Sequence, residues 1–492
     1  MTRWPRRGRV ALPSVAAGLL IALSLPPWGW WPLGLAGAGL LYARIEGLRL
    51  RRRLWSGWCA GIGCYGPGLM WARAFNWYGA LVLILLEALF LAAAAGLTPP
   101  RRGRALAFVG ASTLAEFARM TWPFGGLPLG GASLGQAGGP LVQLARLGGP
   151  LLLTAAVWAG GVVVATAVLR ARRRPAPLRP AGALALSLVL LVALGVVAPD
   201  GGPPVRTLRV ALVQGGGVRG LSQEQVPAAT VFDAQVAASN SIGFSARPPQ
   251  VILWPEDVIA LDGPLAGSPQ AAFVRALARR VHGTVVAGVT VPATGGRFRN
   301  EIVAWGPNGA IAATFEKVHR VPFGEYVPFR AFVSHLADLS AVPEDAIPGQ
   351  GTGLLRTPAG PLGTLVSFEV FYASRSHSSV RAGAELLIVP TNTSSYVAAQ
   401  VPTQEVAADV IQAVETGRDL VQAAPTGYST VVSARGAVRQ RSVLGRRQVL
   451  SATVALRRGF TPYDHWGDLP VLVLAAGALV LGWVRQRRLA QA

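Results

Sequence analysis

Lys317 is the one lysine in a chain that has 46 lysine and arginine residues in total. A lysine ammonium is a compact donor whose pKa can shift, whereas an arginine guanidinium is a planar fork that stays charged. An ordinary surface lysine left by chance would explain a single lysine equally well, so a functional role for Lys317 depends on its neighbouring residues. Lys317 lies beside Glu316, and Gly324 is placed where a tight turn would aim Glu325. We therefore take Lys317 and Glu325 as candidate site residues.

Two further polar side chains are found at the ends of apolar segments typical of buried strands. Glu256 follows the segment 251–254, and Ser367 ends the segment 362–367. A carboxylate, an ammonium and a hydroxyl at one edge of a sheet can carry out acyl transfer. Glu256 would take the proton of the nucleophile, Lys317 would hold the developing oxyanion, and Ser367 would carry the acyl group.

The elements that position these residues form a predicted α/β domain over about 205–460. Short β-branched segments bounded by Gly, Pro and Asn predict strands at 208–213, 251–254, 284–289, 302–305, 362–367, 386–390 and 429–432. Helices are predicted at 269–281 and 403–420. Because strands and helices alternate, the pattern favours a layered α/β fold over an all-β sandwich.

The composition indicates that the rest of the chain is embedded in a membrane. Over 492 residues the mean hydropathy is +0.42 and only 14% of residues are charged. A net charge of +23 would first suggest nucleic acid. Much of the arginine instead lies in clusters that flank apolar runs, at 3–9, 49–53, 101–104, 170–174 and 485–488. This distribution is typical of cytoplasmic anchors on transmembrane helices and argues against a nucleic-acid partner.

Eight apolar segments are long enough to be membrane helices. They are predicted at 9–25, 28–44, 54–73, 79–98, 104–121, 147–169, 181–198 and 467–484. With the N-terminus inside, every arginine cluster faces the cytoplasm, so the residues from 201 to 465 lie outside. The predicted domains are 1–200 with seven helices, 205–460, and 465–492 with the last helix and a cytoplasmic tail.

Glu116 and Arg119 place opposite charges within the fifth of these helices, at a spacing that allows them to pair. A pair inside the membrane is a candidate functional site or, equally, a structural clamp. No metal site or cofactor is predicted, because Cys59 and Cys64 point in different directions on one helix and the histidines are scattered.

The candidate residues, taken in chain order, resemble the Glu-Lys-Cys triad of the nitrilase superfamily. Fusion of such a domain to seven preceding helices and one following helix narrows the resemblance to the apolipoprotein N-acyltransferase family. The segments 254–256, 321–328 and 459–463 look like motifs of that family, and the likeness covers nearly the whole chain. The resemblance implies an αββα sandwich on the outer face of a bacterial plasma membrane.

The resemblance also implies an activity. Members of this family transfer a fatty acyl chain from a phospholipid to the N-terminal α-amino group of an apolipoprotein, through a thioester on the enzyme. Carried over to this chain, Glu256 is the base, Lys317 the oxyanion stabiliser and Glu325 a supporting carboxylate. Glu369 matches a further glutamate that lies just past the nucleophile.

The sequence departs from the family pattern at the nucleophile. Ser367 stands where the family has cysteine, and 391–396 and 425–427 replace other expected motifs. A thiol has a reference pKa near 8.5 and is readily ionised beside an ammonium, whereas an alcohol must lose its proton during attack. Two alternatives to acyl transfer through Ser367 therefore stay open. One is an inactive paralogue that binds phospholipid or lipoprotein, or assists an active enzyme; the other is an amidase or esterase that gives the acyl group to water.

Overall fold

The chain folds into two compact units, each with its own core. The computed structural model describes residues 8–173, 179–217, 226–242, 247–335, 338–340, 342–396 and 399–488. One unit comprises Met1–Ala198 with His465–Ala492, and the other is Pro199–Asp464. Of the arginine clusters used above to orient the chain, Arg3, Arg6, Arg7 and Arg174 lie outside the described residues.

The first unit is built from helices. They are α1 (Gly8–Ser24), α2 (Trp31–Arg44), α3 (Leu50–Gly68), α4 (Trp77–Leu97), α5 (Arg104–Thr121), α6 (Ala145–Arg173), α7 (Arg179–Val197) and a C-terminal helix, Leu469–Arg487. A helix lies in each of the eight predicted ranges, with ends that differ by a few residues. The largest difference is in α3, which takes in Arg51–Arg53 at its start and gives way at its end to a 3-10 turn, Met70–Ala74.

Within the described part of the chain, three segments are both long and apolar enough to cross a membrane. They are Trp77–Leu97, Pro140–Ala171 and Leu469–Arg487. Two further apolar helices are shorter, Ala11–Ser24 and Ala185–Val197. Helices α3 and α5 each contain several charged residues, which lowers their mean hydropathy.

Arg119 is fully buried and joins two helices to the loop that follows α5. Its guanidinium donates to both carboxylate oxygens of Glu116, at 2.9 and 2.7 Å, and to Glu87 of α4 at 3.2 Å. It also donates to the carbonyl oxygens of Leu127 and Leu129, at 2.5 and 3.0 Å. Because its donors are used in this way, the contacts favour a structural clamp over a functional site for the predicted pair.

Helices α3 and α4 pack closely because small residues line their contact. A side chain added at Gly57 would place its Cβ 2.3 Å from the Leu91 carbonyl oxygen, and one at Gly61 would place it 2.5 Å from the Ala88 Cα. These two glycines, four residues apart, let the two helix backbones approach closely. Membrane helices often pack in this way, through small residues that allow van der Waals contact between backbones.

The second unit contains two sheets. Its strands are β1 (Arg206–Gln214), β2 (Val251–Leu253), β3 (Ile259–Ala260), β4 (Thr284–Ala293), β5 (Arg297–Trp305), β6 (Ile311–Glu316), β7 (Asp345–Ala346), β8 (Leu354–Thr357), β9 (Gly360–Thr364), β10 (Leu386–Pro390), β11 (Leu420–Ala423), β12 (Thr430–Val432), β13 (Val438–Arg441) and β14 (Gln448–Leu456). The first sheet has the order β14-β1-β2-β4-β5-β6, with β3 on β4 and β7 on β5. The second has the order β13-β12-β11-β10-β9-β8.

Helices cover the outer faces of the two sheets. They are α8 (Ala228–Ser239) and α9 (Pro269–Val281) on the first sheet, and α11 (Ala373–Arg381) and α12 (Gln400–Thr416) on the second; α10 (Arg330–Val333) and α13 (Pro462–Trp466) are short helices elsewhere in the chain. One apolar core lies between the sheets, with Leu212 and Leu253 from the first sheet and Ile388 and Val421 from the second. Another lies between the first sheet and α8 and α9. The predicted layered α/β fold is confirmed as an αββα sandwich.

Several predicted boundaries in this unit are wrong. The strands predicted over 284–289 and 302–305 are parts of the longer β4 and β5. The strand predicted to end at Ser367 stops at Thr364, since a 3-10 turn begins at the serine itself. The helix predicted over 403–420 ends at Thr416, because Gly417 adopts the left-handed conformation with φ +61° and Leu420 already begins β11.

Candidate active site

Glu256 lies at the carboxyl end of a central parallel strand. Strand β2 pairs in parallel with both β1 and β4. The residues that follow it therefore lie at the carboxyl edge of the sheet, where parallel strands commonly carry functional side chains. The backbone of Glu256 rests against Gly288 of β4. A Cβ at that glycine would be 2.5 Å from the Glu256 Cα, so only glycine permits the approach.

Lys317 follows β6 and bridges two carboxylates. Its Nζ lies 2.8 Å from Glu256 Oε1 and 2.8 Å from Glu325 Oε1. The lysine side chain is 2% exposed and that of Glu256 4%. The structure thus brings together three of the predicted site residues as one buried cluster of an ammonium between two carboxylates.

Asn300 is a member of this cluster that the sequence did not reveal. Its Nδ2 donates to Glu256 Oε1 at 2.8 Å and to Glu325 Oε1 at 3.0 Å. It lies on β5, where its backbone carbonyl accepts the Lys317 N–H at 2.9 Å. The antiparallel register of β5 and β6 therefore places the Asn300 amide beside Lys317. Sequence reasoning could find Asn300 only if the pairing of these two strands were known.

The carboxylate of Glu325 is aimed by a tight turn, as expected. Its Oε2 accepts the Val321 N–H at 2.7 Å, and its own N–H donates to the Val321 carbonyl at 2.8 Å. The predicted turn before Glu325 is present, but Phe323, with φ +60°, rather than Gly324 adopts the left-handed conformation in it.

Burial shapes the electrostatics of Glu256 and Lys317. Burial raises the pKa of the Glu256 carboxyl to about 8, against the lowering effect of the nearby Lys317 and with a further rise from the charges of Asp257 and Glu325. For Lys317, burial alone would lower the pKa, but the two carboxylates more than offset it and raise the pKa. The lysine therefore stays charged while the glutamate titrates close to neutral pH, as suits a general base.

Ser367 begins the 3-10 turn with a strained backbone. Its φ is +49°, in the left-handed region that a residue with a Cβ adopts at a cost of about 1–3 kcal/mol. Glu369, fully buried, braces this turn. Its Oε2 accepts the Val366 N–H at 2.9 Å, and its Oε1 accepts the Val318 and His319 N–H groups at 3.0 Å each.

Glu369 therefore ties together two segments of backbone, the one that follows Lys317 and the one that precedes Ser367. The Nε of Arg375 lies 3.3 Å from Glu369 Oε1 and balances its charge. The supporting role of Glu369 stays a prediction, and its hydrogen bonds to the backbone on both sides are the contacts through which it would act.

The Ser367 hydroxyl is hydrogen-bonded to a residue that the sequence did not single out as part of the site. The hydroxyl of Thr391, which directly follows β10, lies 3.1 Å from Ser367 Oγ. The same hydroxyl lies 2.5 Å from Oε1 of Glu405 on α12. Because β9 and β10 are parallel neighbours, the chain segments after them meet at one edge of the second sheet.

Comparison with known proteins decides the family. Residues 17–163 match the model of the apolipoprotein N-acyltransferase N-terminal domain, and residues 209–459 match that of the carbon-nitrogen hydrolases. A protein from Azotobacter vinelandii named apolipoprotein N-acyltransferase is 30% identical, over 99% of this chain and 96% of its own. One of the same name from Geobacter metallireducens is 31% identical, over 98% and 96%. The chain belongs to the apolipoprotein N-acyltransferase family.

A solved structure, the carbon-nitrogen hydrolase from Helicobacter pylori, aligns with a TM-score of 0.40 and 16% identity, over 54% of this chain and 95% of its own. The predicted resemblance to the apolipoprotein N-acyltransferases is confirmed by the two family models and by relatives over nearly the full length.

Proposed function

We propose that this chain transfers a fatty acyl group from a membrane phospholipid to the N-terminal α-amino group of an apolipoprotein, through an ester on Ser367. Membership of the apolipoprotein N-acyltransferase family supports lipoprotein N-acylation as the activity. The observation that carries the proposal is the buried cluster in which Lys317 Nζ lies 2.8 Å from both Glu256 and Glu325.

In the first half of the reaction, Ser367 Oγ attacks the ester carbonyl carbon of the phospholipid. The serine proton passes to the Glu256 carboxylate, and the carbonyl electron pair moves to oxygen, where the Lys317 ammonium stabilises the charge. Collapse of this intermediate breaks the bond to the lysophospholipid. Its alkoxide oxygen takes the proton back from Glu256, and the acyl group remains on Ser367.

In the second half, the apolipoprotein amine attacks the acyl carbon on Ser367. Glu256 accepts a proton from the amine and returns it to Ser367 Oγ as the ester bond breaks, so the base is restored and an amide is formed. Glu325 holds the lysine in place and shares the Asn300 amide with Glu256. Glu369 sets the position of the nucleophile.

The same proposal includes the arrangement in the membrane. Seven helices within 1–200 and one within 465–492 span a bacterial plasma membrane with the N-terminus in the cytoplasm, and the sandwich of 205–460 lies on the outer face. Arginine at the predicted cytoplasmic ends of the helices supports this orientation. In this orientation the site can receive both a phospholipid donor from the membrane and an apolipoprotein acceptor anchored to the membrane.

An inactive paralogue that binds lipid or lipoprotein is the second candidate, and the observation that favours it is the serine at position 367. A carboxylate is a weaker base toward an alcohol than the histidine of serine hydrolases, so serine slows acylation relative to cysteine. The intact cluster of Glu256, Lys317 and Glu325 favours catalysis, because an ion cluster buried without a chemical task is costly.

The test is intact-mass analysis of a lipoprotein N-terminus in cells depleted of their own N-acyltransferase. These cells express the native chain, Ser367→Ala or Ser367→Cys, with expression and membrane insertion checked for each. We expect triacylated lipoprotein with the native chain and none with Ser367→Ala. If only Ser367→Cys restores triacylation, the native chain is a silenced relative and the proposal fails.

A further inference from the structure

The nucleophile position is connected to α12 by a chain of hydroxyl and carboxyl groups that shares no residue with the Lys317 cluster. Ser367 Oγ, Thr391 Oγ1 and Glu405 Oε1 follow one another at 3.1 and 2.5 Å. Thr391 is fully buried and Glu405 is 1% exposed. The Thr391 N–H donates to the Ala423 carbonyl at 2.9 Å, so the backbone of the central member is fixed by the sheet.

The direction of this chain depends on the protonation state of Glu405. A threonine hydroxyl has one hydrogen, so Thr391 can donate to only one of its two neighbours. If Glu405 were ionised, Thr391 would donate to the carboxylate and Ser367 would have to donate to Thr391. If Glu405 is neutral, its own O–H donates to Thr391, and Thr391 donates to Ser367 Oγ.

The surroundings of the second oxygen of Glu405 favour the neutral form. Oε2 is buried and has no hydrogen-bond partner among the residues that the structure describes. An ionised carboxylate with an oxygen left unpaired in the interior carries a large desolvation penalty, whereas a neutral acid carries much less.

Burial acts in the same sense. It raises the pKa of Glu405 to about 8, despite the hydrogen bond to the threonine hydroxyl; Asp409 and Glu256 raise it further when they are ionised, while Lys317 lowers it. Asp409 lies one turn along the same helix, and Tyr396 is a further titratable group that interacts with Glu405. The group is thus largely protonated at pH 7.

We propose that Glu405, as a neutral acid, and Thr391 form a hydrogen-bond chain that ends on Ser367 Oγ and stabilises the negative charge this oxygen gains as it loses its proton. The inference rests on the proposed function, since it concerns the activation of Ser367. It identifies Thr391 as a catalytic residue, because it contacts the reacting oxygen, and Glu405 as a positioning residue that acts through it.

The chain donates hydrogen bonds without transferring protons. As Ser367 Oγ forms its bond to the acyl carbon, its proton goes to Glu256, and both Thr391 and Glu405 keep theirs. The donated hydrogen bond shortens as the charge grows, since bonds to charged groups are stronger than neutral ones. Because a serine alcohol is far less acidic than a thiol, this aid matters for serine and little for cysteine.

The experiment measures the rate of acyl-enzyme formation by intact mass, with the purified full-length chain in phospholipid micelles and no acceptor. Thr391→Val keeps the shape of the side chain and removes its hydroxyl, whereas Thr391→Ser keeps a hydroxyl. We expect Thr391→Val to slow acylation by about 10-fold to 100-fold, the range for loss of a hydrogen bond to a charged group, and Thr391→Ser to recover most of that loss.

The Glu405 variants test the direction of the chain. Glu405→Met removes the donor and we expect it to slow acylation about as much as Thr391→Val. Glu405→Gln presents an amide N–H that can still donate to Thr391, so it recovers most of the rate. If Glu405→Gln is as slow as Glu405→Met, Glu405 is needed as a carboxylate and the proposed direction is wrong.

The same substitutions in the Ser367→Cys chain separate chemistry from folding. Thr391→Val and Glu405→Met should cost less than about threefold there, because a thiol ionises without this aid. Equal losses in both backgrounds would mean a structural role and overturn the inference, while leaving acylation of Ser367 in the native chain intact. Absence of any acylation in the native chain would overturn the proposed function and this inference with it.

Discussion

Replacing Lys317 with methionine is the most direct perturbation of the candidate site. Methionine is similar in length and carries neither charge nor donor, so the two contacts of 2.8 Å to Glu256 and Glu325 are lost. The variant also loses the group that stabilises the oxyanion, which typically costs about 10²–10³ in rate. Without the ammonium, the lowering effect of Lys317 disappears and the pKa of Glu256 rises further above about 8, so a smaller fraction of this base is ionised at neutral pH than in the native chain.

The two catalytic losses act on the same step and do not simply multiply. We therefore expect acyl-enzyme formation on Ser367 to fall at least about 10³-fold in Lys317→Met. Removing one partner of a buried ion pair costs about 3–5 kcal/mol of stability. Because Glu256 can neutralise itself by taking up a proton, the loss should lie at the lower end of that range.

A matched double variant, Lys317→Met with Glu325→Gln, distinguishes chemistry from stability. It removes the uncompensated carboxylate, so thermal unfolding in detergent should return toward that of the native chain, while acylation measured by intact mass stays low. A Lys317→Met chain that keeps more than about a tenth of the native acylation rate would refute the assigned role of the lysine. Recovery of acylation in the double variant would show that the loss was structural.

Three further predictions follow from the same site. Glu369→Gln replaces a carboxylate oxygen that accepts the Val366 N–H with an amide NH2 group, which cannot accept a hydrogen bond. We expect the free energy of unfolding, measured by thermal unfolding, to fall by about 1–3 kcal/mol and acylation to slow about tenfold or more. Gly288→Ala forces a Cβ to within 2.5 Å of the Glu256 Cα and should abolish most acylation, whereas Gly263→Ala, where no atom lies within 4 Å of the added Cβ, should leave the rate unchanged; similar rates for both would contradict the proposed packing. Since Glu256 must be ionised to act and its pKa is raised to about 8, acylation by the native chain should increase about tenfold per pH unit up to about pH 8, and a flat profile over that range would exclude this carboxylate as the base.

The residues that sequence reasoning identified share a simple local signal. Lys317 follows a strand directly, and Glu256 and Ser367 each come three residues after one, so hydrophobic runs and their ends are enough to find them. Glu325 was found through the turn that aims it. Asn300 gave no such signal, because it lies within a strand and joins the site only through the register with the neighbouring strand.

Glu405 was missed for a different reason. Acidic residues at intervals along a helix usually mark a solvated face, yet every residue of α12 except the partly buried Thr403 is buried. Which charged residues of a helix are covered depends on the layers that pack around it, and this is decided by tertiary structure rather than local pattern. The charged residues of α5 raise a related difficulty for the helical unit, since its buried arginines and glutamate lower the hydropathy of the helix although they are not exposed.

The serine at position 367 changes what its surroundings must provide. An ammonium can bring a cysteine thiol into the thiolate range, but no arrangement of one lysine does the same for an alcohol. The chain nevertheless keeps a strained backbone at Ser367 and a buried cluster with more carboxylates than ammonium groups, both of which reduce stability. Apolar residues could fill the space of the cluster at no loss of stability, so its presence supports the proposed catalytic role. A donor chain through Thr391 compensates at the nucleophile for the acidity that the missing thiol would have supplied.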